Sequence, residues 1–176
     1  MRIVALAGLP GTGKSTLARA LAGALAAPLL DKDRVRSALF APGEIEYSRE
    51  QDDLVMACVY RAVEFHALRG APAVVLDGRT YSRRDQVEEL RALARRIAAR
   101  LAWVECVAAP NTVAARLERD RRAGEHPAAN RSFELYLRLR ERAEVIEGPK
   151  LVLATDEEPL ETLLARSLAY LRGSES

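Results

Sequence analysis

Gly8-Leu9-Pro10-Gly11-Thr12-Gly13-Lys14-Ser15 matches the spacing G-x-x-x-x-G-K-[ST], and its surroundings decide how it is read. Before it stands a short apolar run, residues 3–7, of the length of one buried strand. After it, residues 14–26 carry Leu17, Leu21 and Leu25 at four-residue spacing, the period of a helix face. Strand, glycine turn and helix in that order make a phosphate cradle. Glycines let backbone N–H groups turn inward around phosphate oxygens. The helix N-terminus adds partial positive charge. Lys14 supplies a compact, flexible cation for β- and γ-phosphates, and the Ser15 hydroxyl a ligand for Mg²⁺. Gly8, Gly11, Thr12, Gly13, Lys14, Ser15 and Thr16 are the expected nucleotide-binding residues, with ATP and Mg²⁺ as cofactors.

Outward from the loop, short apolar runs alternate with long helical patterns. The runs are residues 28–30, 73–76, 101–107 and 151–154, each read as a strand buried on both faces. Helices are expected over 48–69, 82–100, 111–123, 132–147 and 156–171. Ser48 with Gln51, and Ser82 with Asp85, read as capping boxes. Gly70 stops the first of these helices; Asp156 reads as the N-cap of the last, with Pro159 in its first turn. This alternation predicts an α/β fold, a parallel sheet covered by helices. With 176 residues, one domain over 1–176 is expected.

Apolar residues make up 49% and charged residues 30%, the balance of an ordinary soluble domain. With 27 basic and 25 acidic residues the net charge is +2, which argues against a dedicated nucleic-acid or membrane-surface protein. Cys58 and Cys106 are too few and too far apart for a disulfide framework or a metal knuckle, so buried thiols in a reducing cytoplasm are expected. No stretch is long enough to span a membrane.

The second and third strands lead into acidic residues. Asp77 ends the run 73–76, where a carboxylate can hold Mg²⁺ or its waters beside the phosphates. Three residues on is Thr80, so the D-x-x-G of a GTPase is missing, as is any N-K-x-D. Gly78 occupies the place where a hydrolytic ATPase sets a water-polarising Glu. A kinase remains. It needs a carboxylate to orient and deprotonate the acceptor hydroxyl. Asp33, in Leu30-Asp31-Lys32-Asp33-Arg34-Val35-Arg36, is the candidate base, with Asp31 a second candidate or metal-shell group. Arg36 shares the helical face of Asp33, to bind an anionic acceptor or hold Asp33 ionised. Arg79, Tyr81, Arg83 and Arg84 are expected to face the acceptor, Arg79 and Arg83 as its binding residues. Residues 114–131 read as an arginine lid broken by Gly124 and Pro127. Within it Arg116 is assigned to the nucleotide, Arg119 to catalysis, and His126 and Arg131 to the acceptor.

GLPGTGKST at the start, LDKDRVRSALF after the second strand and VVLDGRTYSRRDQVEELRALA in the middle together resemble the adenylylsulfate-kinase-like group of small P-loop kinases with AAA domains. Polynucleotide 5′-hydroxyl kinases, chloramphenicol phosphotransferase and gluconate kinase are relatives. The resemblance covers nearly the whole chain. It implies a P-loop NTPase three-layer sandwich, a five-stranded parallel sheet in the order 2-3-1-4-5 and a helical arginine lid. It also implies that Asp33 is the general base and Arg36 an acceptor-side arginine. Residues 78–82 differ from those of sulfate-assimilation enzymes, so the resemblance carries the reaction and not the acceptor. The expectation is an ATP-dependent phosphotransferase acting on a hydroxyl of a small, anionic metabolite. A polynucleotide 5′-hydroxyl kinase, binding a nucleic-acid 5′ end, is the alternative, and a non-catalytic nucleotide-dependent regulatory module is a third reading.

Overall fold

In the computed structural model, which describes residues 1–123 and 132–173, β1 (Arg2–Ala7) runs through the middle of one sheet. β3 (Ala73–Asp77) pairs along one edge of it and β4 (Arg100–Val107) along the other. β2 (Leu29–Asp31) and β5 (Leu151–Ala154) complete the sheet outside them, giving β2-β3-β1-β4-β5 with every pairing parallel. This is the expected order. Parallel strands need crossovers, which the helices supply: α1 (Lys14–Ala24), α2 (Lys32–Leu39), α3 (Arg49–Leu68), α4 (Arg84–Arg96), α5 (Pro110–Ala123), α6 (Phe133–Arg142) and α7 (Leu160–Gly173).

Side chains alternate across β1, so one strand feeds two cores. Ile3, Ala5 and Ala7 pack with Met56, Val63, Leu90 and Trp103, under α3 and α4. Val4 and Leu6 pack with Leu17, Leu21, Leu163 and Leu171, under α1 and α7. Burial on both faces holds for β1 and β3. It fails at the sheet edges: all of β2 is half-buried and Val152 of β5 is exposed, because each edge strand has a neighbour on one side only. Cys106 is buried but Cys58 only half so. Among the described residues no helix is long and apolar enough to cross a membrane.

Several helix boundaries shift for tertiary reasons. α4 begins at Arg84, not Ser82: the Ser82 hydroxyl pairs with Thr80 Oγ1 (2.9 Å), and the Arg84 N–H donates to Glu144 Oε2 (2.5 Å) from far along the chain. It ends at Arg96, because residues 100–107 are drawn into the sheet. α6 ends at Arg142, not 147, and Ile146 is instead buried in the core. α7 begins at Leu160. Asp156 does not cap it; its carboxylate accepts from the Ala109 N–H (2.8 Å) at the start of α5. Ser48 does cap α3, accepting from the Gln51 N–H (3.2 Å), but the Gln51 side chain turns away to other partners.

Candidate active site

The carboxyl ends of β1, β2 and β3 meet at one edge, and the glycine loop closes over them. Gly8 has a φ of +127°, and a Cβ there would fall 2.2 Å from the Cys106 carbonyl oxygen. Only a residue without a side chain lets the chain turn so close to β4. Inside the loop the Thr12 hydroxyl (2.7 Å) and the Lys14 ammonium (2.9 Å) both donate to the Leu9 carbonyl. Arg116 of α5 binds the loop from outside. Its Nη1 donates to Thr155 Oγ1 (2.9 Å) and Gly11 O (3.4 Å), and its Nη2 to Thr155 O (2.9 Å). Thr155, after β5, in turn donates to Thr12 O (2.8 Å).

Two cavities open on either side of Lys14 and Ser15, which line both. One, of about 540 Å³, is lined by Gly13, Thr16, Arg116, Arg119 and Thr155. The other, of about 390 Å³, holds Asp33, Lys32, Tyr47, Gln86 and Leu139. Asp31 is the N-cap of α2, its carboxylate accepting from the Asp33 N–H at 2.9 Å and the Arg34 N–H at 3.4 Å. It lines the first cavity, whereas Asp33 lines the second. Burial raises the pKa of both. For Asp31 the charge of Asp77 adds to the rise, and for Asp33 the Lys32 ammonium opposes it. Asp77 is 4% exposed, and its Oδ1 has no hydrogen-bond partner among the described residues. No cluster of three or more metal-ligating residues forms among them.

Gly78 explains how α2 reaches the loop. Its φ is +87°, and a Cβ would stand 2.9 Å from Lys32 Cβ and 3.1 Å from Asp31 Oδ1. The start of α2 is therefore pressed against β3 at the one residue that leaves room for it.

The arginines expected to face the acceptor are less free than their positions in the sequence suggest. Arg36 does not meet Asp33. It is buried, bonded through Nη1 to Gln51 Oε1 (2.7 Å) and through Nη2 to Asp52, with its guanidinium over the Tyr47 ring. Asp52 also accepts from Lys32 (3.1 Å). Arg79 reaches the second cavity but donates to Tyr60 Oη (2.8 Å) and Glu89 (2.6 Å), and burial pushes the Tyr60 hydroxyl up to about 12. Arg83 lines the cavity and pairs with Asp85 (3.1 Å). Arg84 and Tyr81 do not face it. Arg84 pairs with Glu147, and Tyr81 is buried edge-on against Trp103 at 4.9 Å. Arg119 lines the first cavity with its side chain 74% exposed. The lid segment 114–131 lies in α5 as far as residue 123; His126 and Arg131 fall outside the described residues. Sequence reasoning missed Tyr47, Asp52, Gln86, Leu135, Leu139 and Arg142, all lining the second cavity. The last three sit at 135, 139 and 142, one helical face, a signal that was present in the spacing.

A family model described as an AAA domain matches residues 3–144 of the sequence. The chain belongs to this AAA domain family. Among curated proteins no significant match exists. Solved structures with the same fold cover nearly the whole AAA domain chain. A protein from Chloroflexus aurantiacus proposed to be a kinase is 21% identical, with a TM-score of 0.77 over 96% of this chain and 97% of that one. A gluconokinase from Sinorhizobium meliloti is 19% identical, with 0.70 over 97% and 91%. The adenylylsulfate (APS) kinase CysC of Mycobacterium tuberculosis, solved with AMPPNP and APS, is 18% identical, with 0.71 over 97% and 97%. At these identities the likeness is one of fold.

Proposed function

We propose that this AAA domain protein is an ATP-dependent kinase that moves the γ-phosphate to a hydroxyl of a small, anionic metabolite. The observation that carries this reading is the pair Lys14 and Ser15 between two cavities, with a half-buried carboxylate, Asp33, in only one of them. A hydrolase needs one cavity and a water; a transferase needs a second place for the acceptor.

In this reading ATP occupies the larger cavity, with its phosphates on the loop N–H groups and Lys14. Arg116 borders the nucleotide, and Arg119 closes toward the phosphates with the lid. The residues fit Mg²⁺: the Ser15 hydroxyl and the unpartnered Asp77 oxygen would hold it, directly or through waters, and phosphate oxygens would complete its shell. When bound, it neutralises charge on the β- and γ-phosphates. Asp33 accepts the acceptor hydroxyl proton as that oxygen forms its bond to the γ-phosphorus and ADP leaves. Arg83 and Arg142 offer cations at the rim, while Leu135 and Leu139 give the acceptor an apolar wall. Buried Arg36 acts from behind, through Asp52, Tyr47 and Lys32. The acceptor cavity is of metabolite size, which favours a small acceptor over a polynucleotide end.

The test is transfer of labelled γ-phosphate from Mg·ATP to a panel of anionic, hydroxyl-bearing metabolites and to a 5′-hydroxyl oligonucleotide, with Asp33→Asn as control. Label on a small acceptor that vanishes in the variant supports the reading. Label on the oligonucleotide alone replaces the acceptor class, and label on nothing, with ATP bound, supports a regulatory module.

A further inference from the structure

The segment from β3 into α4 leaves two hydrogen-bonding groups unused in the wall of the cavity that holds Asp33. Gln86, in the first turn of α4, is 7% exposed, and its Oε1 has no hydrogen-bond partner among the described residues. Arg79 is 3% exposed, and its Nε–H likewise has none among them. Both residues line the cavity. They are also neighbours. Arg79 donates through Nη1 to Glu89 (2.6 Å), and Glu89 follows Gln86 by one helical turn on the same face of α4. Buried polar groups are nearly always paired, so an unused donor near an unused acceptor in a cavity wall points to a ligand.

The chemistry of the two groups selects what binds them. Gln86 is neutral, and the charge of Arg79 is matched by Glu89, so the wall offers hydrogen bonds and no net cation. A carboxylate or phosphate oxygen has no hydrogen to give the Gln86 oxygen, and an ammonium has no lone pair for the Arg79 N–H. A hydroxyl has both: its oxygen accepts from the N–H while its hydrogen goes to the amide oxygen. The terminal torsion of a Gln amide is soft, so that oxygen meets a group in the cavity without moving the helix. We propose that Gln86 is a specificity-determining residue which, with the Arg79 N–H, binds a second, uncharged hydroxyl of the acceptor, one that takes no phosphate. The acceptor class narrows to small anions bearing at least two hydroxyls. This rests on the kinase reading and deepens it: Asp33 serves the first hydroxyl and Gln86 the second.

The experiment compares transfer from Mg·ATP to matched acceptors that differ by one hydroxyl. The pairs are glycerate with 3-hydroxypropionate, 2,4-dihydroxybutyrate with 4-hydroxybutyrate, and glycerol 3-phosphate with 3-hydroxypropyl phosphate. For at least one pair the wild type is expected to favour the dihydroxy member by about 100-fold in kcat/KM, since a site built to bond a hydroxyl is left with unpaired groups by the analogue that lacks it. Gln86→Met keeps the length and removes the amide. Its preference should fall below about threefold, through loss on the dihydroxy member, with calorimetric binding of Mg·ATP as the control for folding. The wild-type ratio tests the proposal by itself should the variant not fold. Equal transfer within every labelled pair, or a preference that survives Gln86→Met, overturns the proposal and leaves the kinase reading standing. So does label on a monohydroxy or other metabolite with none on any dihydroxy member. Label on nothing overturns the kinase reading as well.

Discussion

In the proposed reaction Lys14 serves the phosphate donor and Asp33 the acceptor, and their removal should fail in different ways. Lys14→Ala takes away a charge-assisted contact to the phosphates, so nucleotide binding should weaken by about 10- to 100-fold in calorimetry, with transfer lost alongside it. Asp33→Asn keeps the shape and removes the base. Nucleotide affinity should stay within about twofold while transfer falls by about a thousandfold; an Asp33→Asn protein that transfers phosphate at the wild-type rate would falsify the assignment. Burial, chiefly, raises the Asp33 pKa above its ordinary 3.8, with Lys32 opposing and Asp31 and Asp77 adding. The sign follows. The folded state holds this proton more tightly than the unfolded chain, so the ionised form costs stability above the raised pKa, and that cost disappears as pH falls below 3.8. Asp33→Asn should therefore raise the thermal midpoint at pH 7, and the gain should shrink as the solution is acidified. The same shift places the acid limb of kcat/KM above that of an ordinary aspartate, because activity needs the carboxylate.

At the scale of elements, the start of α2 is held by two features the helix itself does not supply. Gly78 leaves the space against β3, and Asp52 of α3 grips Lys32 and Arg36. Gly78→Ala puts a Cβ 2.9 Å from Lys32 at a left-handed φ, and both strain and overlap push Asp33 out of line. It should lose about 1–3 kcal/mol of stability in denaturant unfolding, together with most of its transfer activity. A variant that keeps both would show that α2 can shift without cost. In the sequence Gly78 marks the absence of a catalytic Glu; its packing role becomes visible only where β3 and α2 lie side by side. Asp156 is similar. The residue type suggested a cap for α7, but its carboxylate instead accepts from the Ala109 N–H, just before α5 begins at Pro110.

Across the whole molecule, Arg116 ties together three segments remote in sequence: the phosphate loop at Gly11, helix α5, and the turn after β5 at Thr155. It thus holds α5 against the phosphate loop. Arg116→Ala should raise the KM for ATP by about tenfold and leave the acceptor KM near wild type, since the acceptor cavity does not include it. Equal losses on both substrates would mean that Arg116 only supports the fold.

The local sequence determined the phosphate loop, the strand and helix order and the two-sided burial of β1 and β3, because glycine conformation, charge spacing and hydrophobic period are properties of neighbouring residues. It also placed Asp77 at the end of β3, Asp33 just past the end of β2 and Ser15 behind the glycine loop, where a parallel sheet gathers them. The partners of the arginines were decided only by the tertiary structure. Arg36 and Arg79 looked like acceptor ligands in a row of basic residues, yet they are buried against Asp52 and Glu89 from other helices. A long side chain binds whichever carboxylate the packing brings within reach, and nothing in its own stretch of chain records which one that is.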